Sequence, residues 1–205
     1  MGTFVRRVVL VATAAGVVVG MAMSSASAGT VSSWAVTPSG PYTAHADYPT
    51  LSVSAGTFEC AASDVTAGSF QSVSPDGAEI SAIDAFTSTG CGVGGIDWSM
   101  TMSETPWKIN AVRPSESHAN WVDITISDFS AHFGGLACDV DVRGLLRGHY
   151  ENDSGKLVIQ GDISDLVASN ASCLGLFNDG EEVVFDASYL VTMSSTESWP
   201  VISPS

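Results

Sequence analysis

Four cysteines, at positions 60, 91, 138 and 173, frame two stretches of the chain that share one plan. In each, a cysteine is followed by a first arm (Gly68-Ser69-Phe70 in the earlier, Gly148-His149-Tyr150 in the later), a cluster of turn formers, a second arm (Glu79-Ile80, Lys156-Leu157) and another cysteine. The later stretch is the clearer. Val140 and Val142 alternate with Asp139, Asp141 and Arg143, Asn152-Asp153-Ser154-Gly155 follows, and Leu157 and Ile159 then alternate with Val158 and Gln160. Successive side chains of a strand point to opposite faces, so a period of two marks a half-buried strand. The residues between the arms are those that tolerate left-handed backbone or bond their own main chain. A strand pair turning near residue 153 places Cys138 opposite the neighbourhood of residue 169, a few residues short of Cys173. In the earlier stretch the turn signal Ser74-Pro75-Asp76-Gly77 lies at the midpoint of Cys60 and Cys91. Ladder geometry therefore favours Cys60 with Cys91 and Cys138 with Cys173 over the two crossed pairings open to four cysteines. Closely spaced metal-ligand pairs such as C-x-x-C are missing from the sequence, which makes cystines the expected use of the thiols.

The rest of the chain follows the same period. Ile96, Trp98, Met100 and Met102 share one face; Val122, Ile124 and Ile126 share another, and the phase changes near Asp128 before Phe129, Ala131 and Phe133, as a β-bulge would change it. Val183, Phe185, Ala187, Tyr189, Val191 and Met193 form a closing strand after the turn Asn178-Asp179-Gly180. A polar loop is expected over residues 110–120, and one or two helical turns over 164–170. Short alternating segments joined by Gly, Asn, Asp and Ser predict an all-β fold, a single antiparallel β-sandwich with a closed β-barrel as the alternative. The core domain is expected over residues 55–195, preceded by an extended opening segment with an edge strand around Trp34 (29–54) and followed by a loose tail (196–205).

The first 28 residues read as an export signal: Arg6 and Arg7, an uncharged run from Val8 to Met23, and the small-residue cleavage site Ala26-Ser27-Ala28. The ordinary secretory route is preferred to the twin-arginine route, since Val-Val-Leu after the arginines matches the latter loosely. The mature chain is expected to begin at Gly29, which leaves 177 of the 205 residues, enough for one core. It carries no cysteine at the cleavage point for a lipid anchor and no second apolar run of the roughly 20 residues a spanning helix needs. Removing Arg6 and Arg7 leaves five basic residues against 22 acidic ones, a formal balance of −17. That charge argues against nucleic acid and anionic membrane as partners and favours cationic partners or divalent ions.

Catalytic signatures are sparse. G-x-S-x-G and H-E-x-x-H do not occur, and His45, His118, His132 and His149 are scattered along the chain. Candidate ligand-binding residues are Trp121, whose parity with Asp123, Thr125 and Ser127 turns its ring toward water, Trp107 near a strand end, and His118 in the polar loop. Exposed indoles on a β surface stack on sugar rings or anchor a protein interface. Candidate ligands for a structural calcium ion are Asp139 and Asp141, on one strand face, and Asp179 and Glu181, at a turn. No other cofactor is expected.

The Trp34-x-x-x-Pro38-x-Gly40 opening, the four spaced cysteines, the Asn-Asp-Ser-Gly-Lys-Leu hairpin (152–157) and the closing Tyr189-x-Val191 strand resemble small secreted all-β proteins of actinobacteria. The resemblance implies an extracytoplasmic β fold and carries no activity or site across. The functional expectation is a secreted, extracellular or envelope-associated, non-catalytic β module that binds protein or polysaccharide. The alternatives are a secreted hydrolase acting on polysaccharide and a mycomembrane β-barrel.

Overall fold

The computed structural model describes residues 33–136 and 138–205. The expected export signal and the expected cleavage point before Gly29 lie outside the described residues. The described chain is almost wholly strand, arranged as eight antiparallel staves, several of them broken once. In chain order these are β2 (Gly40–Asp47) with β3 (Thr50–Val53), β4 (Gly56–Glu59) with β5 (Ala62–Phe70), and β7 (Ser81–Thr89) with β8 (Gly92–Val93). Then come β9 (Ile96–Met102) with β10 (Trp107–Pro114), the unbroken β11 (Trp121–Gly135) and β12 (Cys138–Glu151), β13 (Lys156–Ile159) with β14 (Asp165–Ser169), and β15 (Glu182–Met193). Each stave pairs with its sequence neighbours, and the last pairs with the first: Leu190 stands opposite His45 and Val184 opposite Ser52. The ring of pairings is closed. Of the two expected architectures the sheet takes the barrel form, its opposite walls facing each other across one core as the layers of a sandwich would.

The breaks have local causes. Tyr48 adopts φ 51° and Pro49 has no N–H to give the ladder, so the first stave bends there. Its neighbour bends at the same level, where Tyr48 N donates to Ala61 O and Cys60 N to Pro49 O. On β11 the register shifts between Ile126 and Phe129, around Asp128 at φ 59°, where the alternation of the sequence changes phase.

Both cystines join sequential neighbours, Cys60 with Cys91 and Cys138 with Cys173. The first follows from the ladder itself: Ala62 pairs with Thr89 and Phe70 with Ser81, so Cys60 comes level with Cys91. The second needs one adjustment. Gly148 pairs with Ile159 but Asp141 with Ser169, a shift of three residues taken up by the 3-10 turn Gly161–Ile163. Asp139 and Ser172 then exchange backbone bonds of 3.2 and 2.7 Å beside the cystine. The helical turn therefore precedes the segment expected to hold it, and Asp165–Ser169 is strand. Likewise Asn110–Pro114 completes β10, which shortens the expected polar loop to residues 115–120.

Inward positions are mostly apolar: all six alternate residues of β15 from Val183 to Met193 are buried, and the buried hydroxyls of Ser63 and Ser81 are hydrogen-bonded to those of Tyr189 and Tyr42. Eight strands enclose a space that side chains just fill or that holds one small ligand. Here it is filled. The central void, lined by Phe86, Trp107, Phe129 and Leu146 among others, measures about 20 Å³ and is wholly apolar, so it has no polar partner for a water molecule. On β12 a Cβ at Gly148 would lie 1.9 Å from Val158 O, so only glycine lets β13 approach.

One end of the barrel is covered by a small sheet in which β1 (Trp34–Thr37) lies between β6 (Val73–Ser74) and β16 (Val201–Pro204). The edge strand expected around Trp34 is thus the centre of this sheet, and the tail expected to lie loose supplies one of its flanks. The tail is held because it meets partners that sequence period does not reveal: Tyr150 Oη donates to Pro200 O at 2.6 Å, and Asn152 bonds both backbone groups of Ile202.

Two substitutions test this packing by urea denaturation. Phe129→Ala, which removes a buried ring 4.5 Å from that of Trp107, is expected to cost about 3–5 kcal/mol. The pair Cys138→Ser and Cys173→Ser, opening a 35-residue separation, is expected to cost about 3–4 kcal/mol. A loss well under 1 kcal/mol for Phe129→Ala would contradict a close-packed interior.

Candidate functional site

The five Lys and Arg residues among the described residues lie between Lys108 and Lys156, on the wall made by β10 to β13; the staves β2 to β8 and β15 carry none. This wall, on which Asp123, Asp128, Asp139, Asp141 and Glu151 balance the five cations, has a regular outward grid set by register. Arg113, Asp123, His149 and Val158 stand in one cross-strand row, and Trp121, Glu151 and Lys156 in the next. Arg113 Nε donates to Asp123 at 2.8 Å and its Nη1 to Glu116 at 2.9 Å, while Arg147 Nη2 donates to Asp165 at 2.8 Å. These pairs are too exposed to add much stability, yet they fix the planes of two guanidinium groups. Between them lies an open groove of about 340 Å³ lined by Val112, Arg113, Asp123, Thr125, Arg147, Gln160 and Ile163.

At the edge of this groove stands a three-ring stack. The indole of Trp121 lies 3.9 Å from the imidazole of His118 and 4.0 Å from that of His149, with interplanar angles of 15° and 3°. At those spacings the lateral offset left to each imidazole is smaller than its own width, so the two cover opposite faces of the indole. His149 is nearly buried, with Gln160 Oε1 and Glu151 Oε1 each 3.4 Å from its ring nitrogens. Glu151 also accepts a hydrogen bond from Ser154 Oγ, the main reason its carboxyl sits below the usual range, with His149 contributing less.

The expected ligand-binding residues fare differently. Trp121 and His118 come together, and the parity that turns Trp121 outward holds, but its faces are occupied and offer no platform for a sugar ring. Trp107 is core: only 3% of it is exposed, its Nε1 donates to Ser130 O, and it packs on Phe86 and Phe129. Its parity with buried Ile109 and Ala111 is the signal that places it inside. His149, Arg113, Arg147 and Gln160 were not among the expected site residues; cross-strand register, which sequence leaves open, is what gathers them.

The proposed calcium ligands are not gathered. Asp139 and Asp141 flank His132, at 3.5 Å from Nε2 and 3.0 Å from Nδ1, and Asp141 also accepts from Asn170 Nδ2 at 2.9 Å. Asp179 accepts from Ala171 N at 2.8 Å. Glu181 accepts from the hydroxyl and the N–H of Ser54 and from both nitrogens of Asn178, tying two loops together. Among the described residues no group of three or more His, Cys, Asp or Glu side chains is arranged to hold a metal ion. Asp139 and Asp141 pair with His132, and Asp179 and Glu181 bind loop amides and a hydroxyl instead.

These contacts fix a pH window. His45, whose Nδ1 lies 2.7 Å from Asp64 and Nε2 3.2 Å from Asp47, is held above its ordinary value chiefly by the Asp64 hydrogen bond. A raised histidine contributes stability that is complete below its unfolded value of about 6.5 and lost as pH rises through the folded one. Glu181, through Ser54 first, Glu151, through Ser154, and Asp141, through Asn170, are held low. Their contribution is complete above the ordinary carboxylate range of about 4 and lost as pH falls. The melting temperature is expected to peak between about pH 4.5 and 6.5. His45→Asn should flatten the alkaline side and Glu181→Gln the acid side; a wild-type Tm still climbing above pH 7 contradicts the assignment.

Compared with known proteins, the chain matches no family model, no curated protein and no solved structure.

Proposed function

We propose that this chain is a non-catalytic, extracytoplasmic binding module whose outer-wall groove takes a saccharide. The observation that carries the reading is the groove itself. Two anchored guanidinium groups, the Asp123 carboxylate and the Gln160 amide present planar, bidentate partners for adjacent hydroxyls. The half-exposed Val112 and Ile163 offer apolar contact for the C–H faces of a sugar ring. Its volume falls within the range of small-ligand sites. The packed interior supports an external site, because the barrel has no room for a ligand of that size.

Several features favour this over the alternatives. A hydrolase needs an activated nucleophile or a spaced carboxyl pair in a cleft. All four cysteines are in disulfides. Ser117 Oγ lies 2.9 Å from His118 Nδ1, but that imidazole is stacked on Trp121 and has no carboxylate behind it among the described residues. A membrane-spanning barrel turns its apolar residues outward to lipid, whereas here they line the interior and Thr, Ser, Asp, Lys and Arg face outward. Among the described residues no helix is long and apolar enough to cross a membrane, and the two cystines suit an oxidising compartment.

Calorimetric titration with oligosaccharides released from the cell envelope tests the reading. Wild-type protein should bind at least one, and the pair Arg147→Ala and Gln160→Ala should weaken that binding by about tenfold or more without lowering Tm. Unchanged affinity in that variant, or no binding across the series, overturns it. The exported chain should begin at Gly29 by N-terminal sequencing.

A further inference from the structure

The barrel end opposite the small sheet carries the turns 53–56 and 93–96, the connection that leaves β11 at Gly135 and Leu136, and the loop 170–181, and both cystines lie close to it. It is plugged from within. Phe177 is buried in the barrel mouth, its ring 5.0 Å from that of Phe58 and 6.4 Å from that of Phe133. Three residues earlier in the same loop, Leu174 is 88% exposed; in the facing turn Leu136 is 82% exposed. These are the two most exposed large apolar side chains among the described residues, and they flank one covalent bond: Leu136 stands two residues before Cys138, and Leu174 follows Cys173.

Single exposed leucines are ordinary. A cystine-fixed pair is different, because the bond and the reciprocal Asp139–Ser172 hydrogen bonds hold both turns in place. Leu174 also adopts φ 49°, in a region leucine seldom occupies, although the same loop buries a larger apolar residue. Ile96, 42% exposed, sits on the neighbouring turn beside Gly94 and Gly95. Around these apolar groups the charge has one sign. The segments 53–56, 92–97, 134–139 and 170–182 contain no Lys or Arg, and they carry Asp97, Asp139, Asp179, Glu181 and Glu182.

We propose that this tip is a second interaction surface, where Leu136 and Leu174 dock into a basic protein partner, an apolar pocket or helix face ringed by lysine or arginine. Apolar anchors within a charged rim of one sign are the arrangement of a protein interface whose partner carries the opposite charge. An anionic lipid surface would be repelled by the acidic rim, and a second copy meeting this end about a two-fold axis would oppose like charges.

Fluorescence anisotropy of the full-length mature protein against three labelled helical peptides distinguishes the cases: one of Lys and Leu, one of Lys and Ser, one of Glu and Leu. Binding is expected to the Lys/Leu peptide alone, to weaken with salt, and to fall by about tenfold or more in the pair Leu136→Ser and Leu174→Ser. The pair Arg147→Ala and Gln160→Ala should bind the peptide as wild type does, which keeps this surface separate from the saccharide groove. Because both leucines are exposed, the serine pair should keep the wild-type Tm, so lost binding reports the surface. Equal binding of Lys/Ser peptide, retained binding in the serine pair, sedimentation with zwitterionic vesicles, or self-association abolished by the serine pair would each overturn the proposal.

Discussion

The structure depends on closure of the ring, the pairing of β15 with β2 and β3. An open eight-stave sheet of this composition would expose two edges of unpaired N–H and C=O groups and one apolar face. Closure removes both at once: every stave gains a second neighbour, and the apolar face becomes the inside of a cylinder. The same closure decides where binding chemistry sits. With the interior packed by Trp107, Phe129, Leu146 and Phe185, and its few buried hydroxyls paired with one another, the polar groups open to a ligand lie on the outer wall and at the two ends.

Much of this is written in the period of the sequence. Alternation identified β9, β11, β12, β13 and β15, the phase change at Asp128 marked the bulge, and the spacing of the cysteines about their turns matched both cystines to the ladder; β2, the end of β10 and β14 fell in segments expected to be extended, looped and helical. Closure itself was open, because alternation reports which face is buried and not whether first and last strands meet; sandwich and barrel share the same letters. The tail was misread for a related reason. Val201–Pro204 are too few and too rich in turn residues to show a period, and what holds them is contact with Tyr150 and Asn152, some fifty residues away.

The site was legible only in fragments. Parity turned Trp121 outward, but that two imidazoles close over its faces depends on His149 lying diagonally across a strand pair and on the short loop that returns His118. Trp107 was placed near a strand end, although its parity with Ile109 and Ala111 pointed inward. The acidic residues offered as metal ligands show the limit of composition as a guide. Asp179 and Glu181 are drawn to loop amides and hydroxyls, a use that oxygen-rich turns satisfy without any ion.

One arrangement at the covered end has a mechanical meaning. Ser33 Oγ donates to Ser205 O at 2.6 Å, and Ser205 N to Ser33 O at 3.0 Å, so both ends of the described chain leave the fold side by side. Because β1 and β16 run antiparallel from that point, tension applied between the ends would peel them apart one bond pair at a time, like a zip, rather than shear them together. The small sheet would yield at low force while the cylinder beneath it felt almost no pull. Trp34, drawn out with β1, would be the optical reporter of that first step.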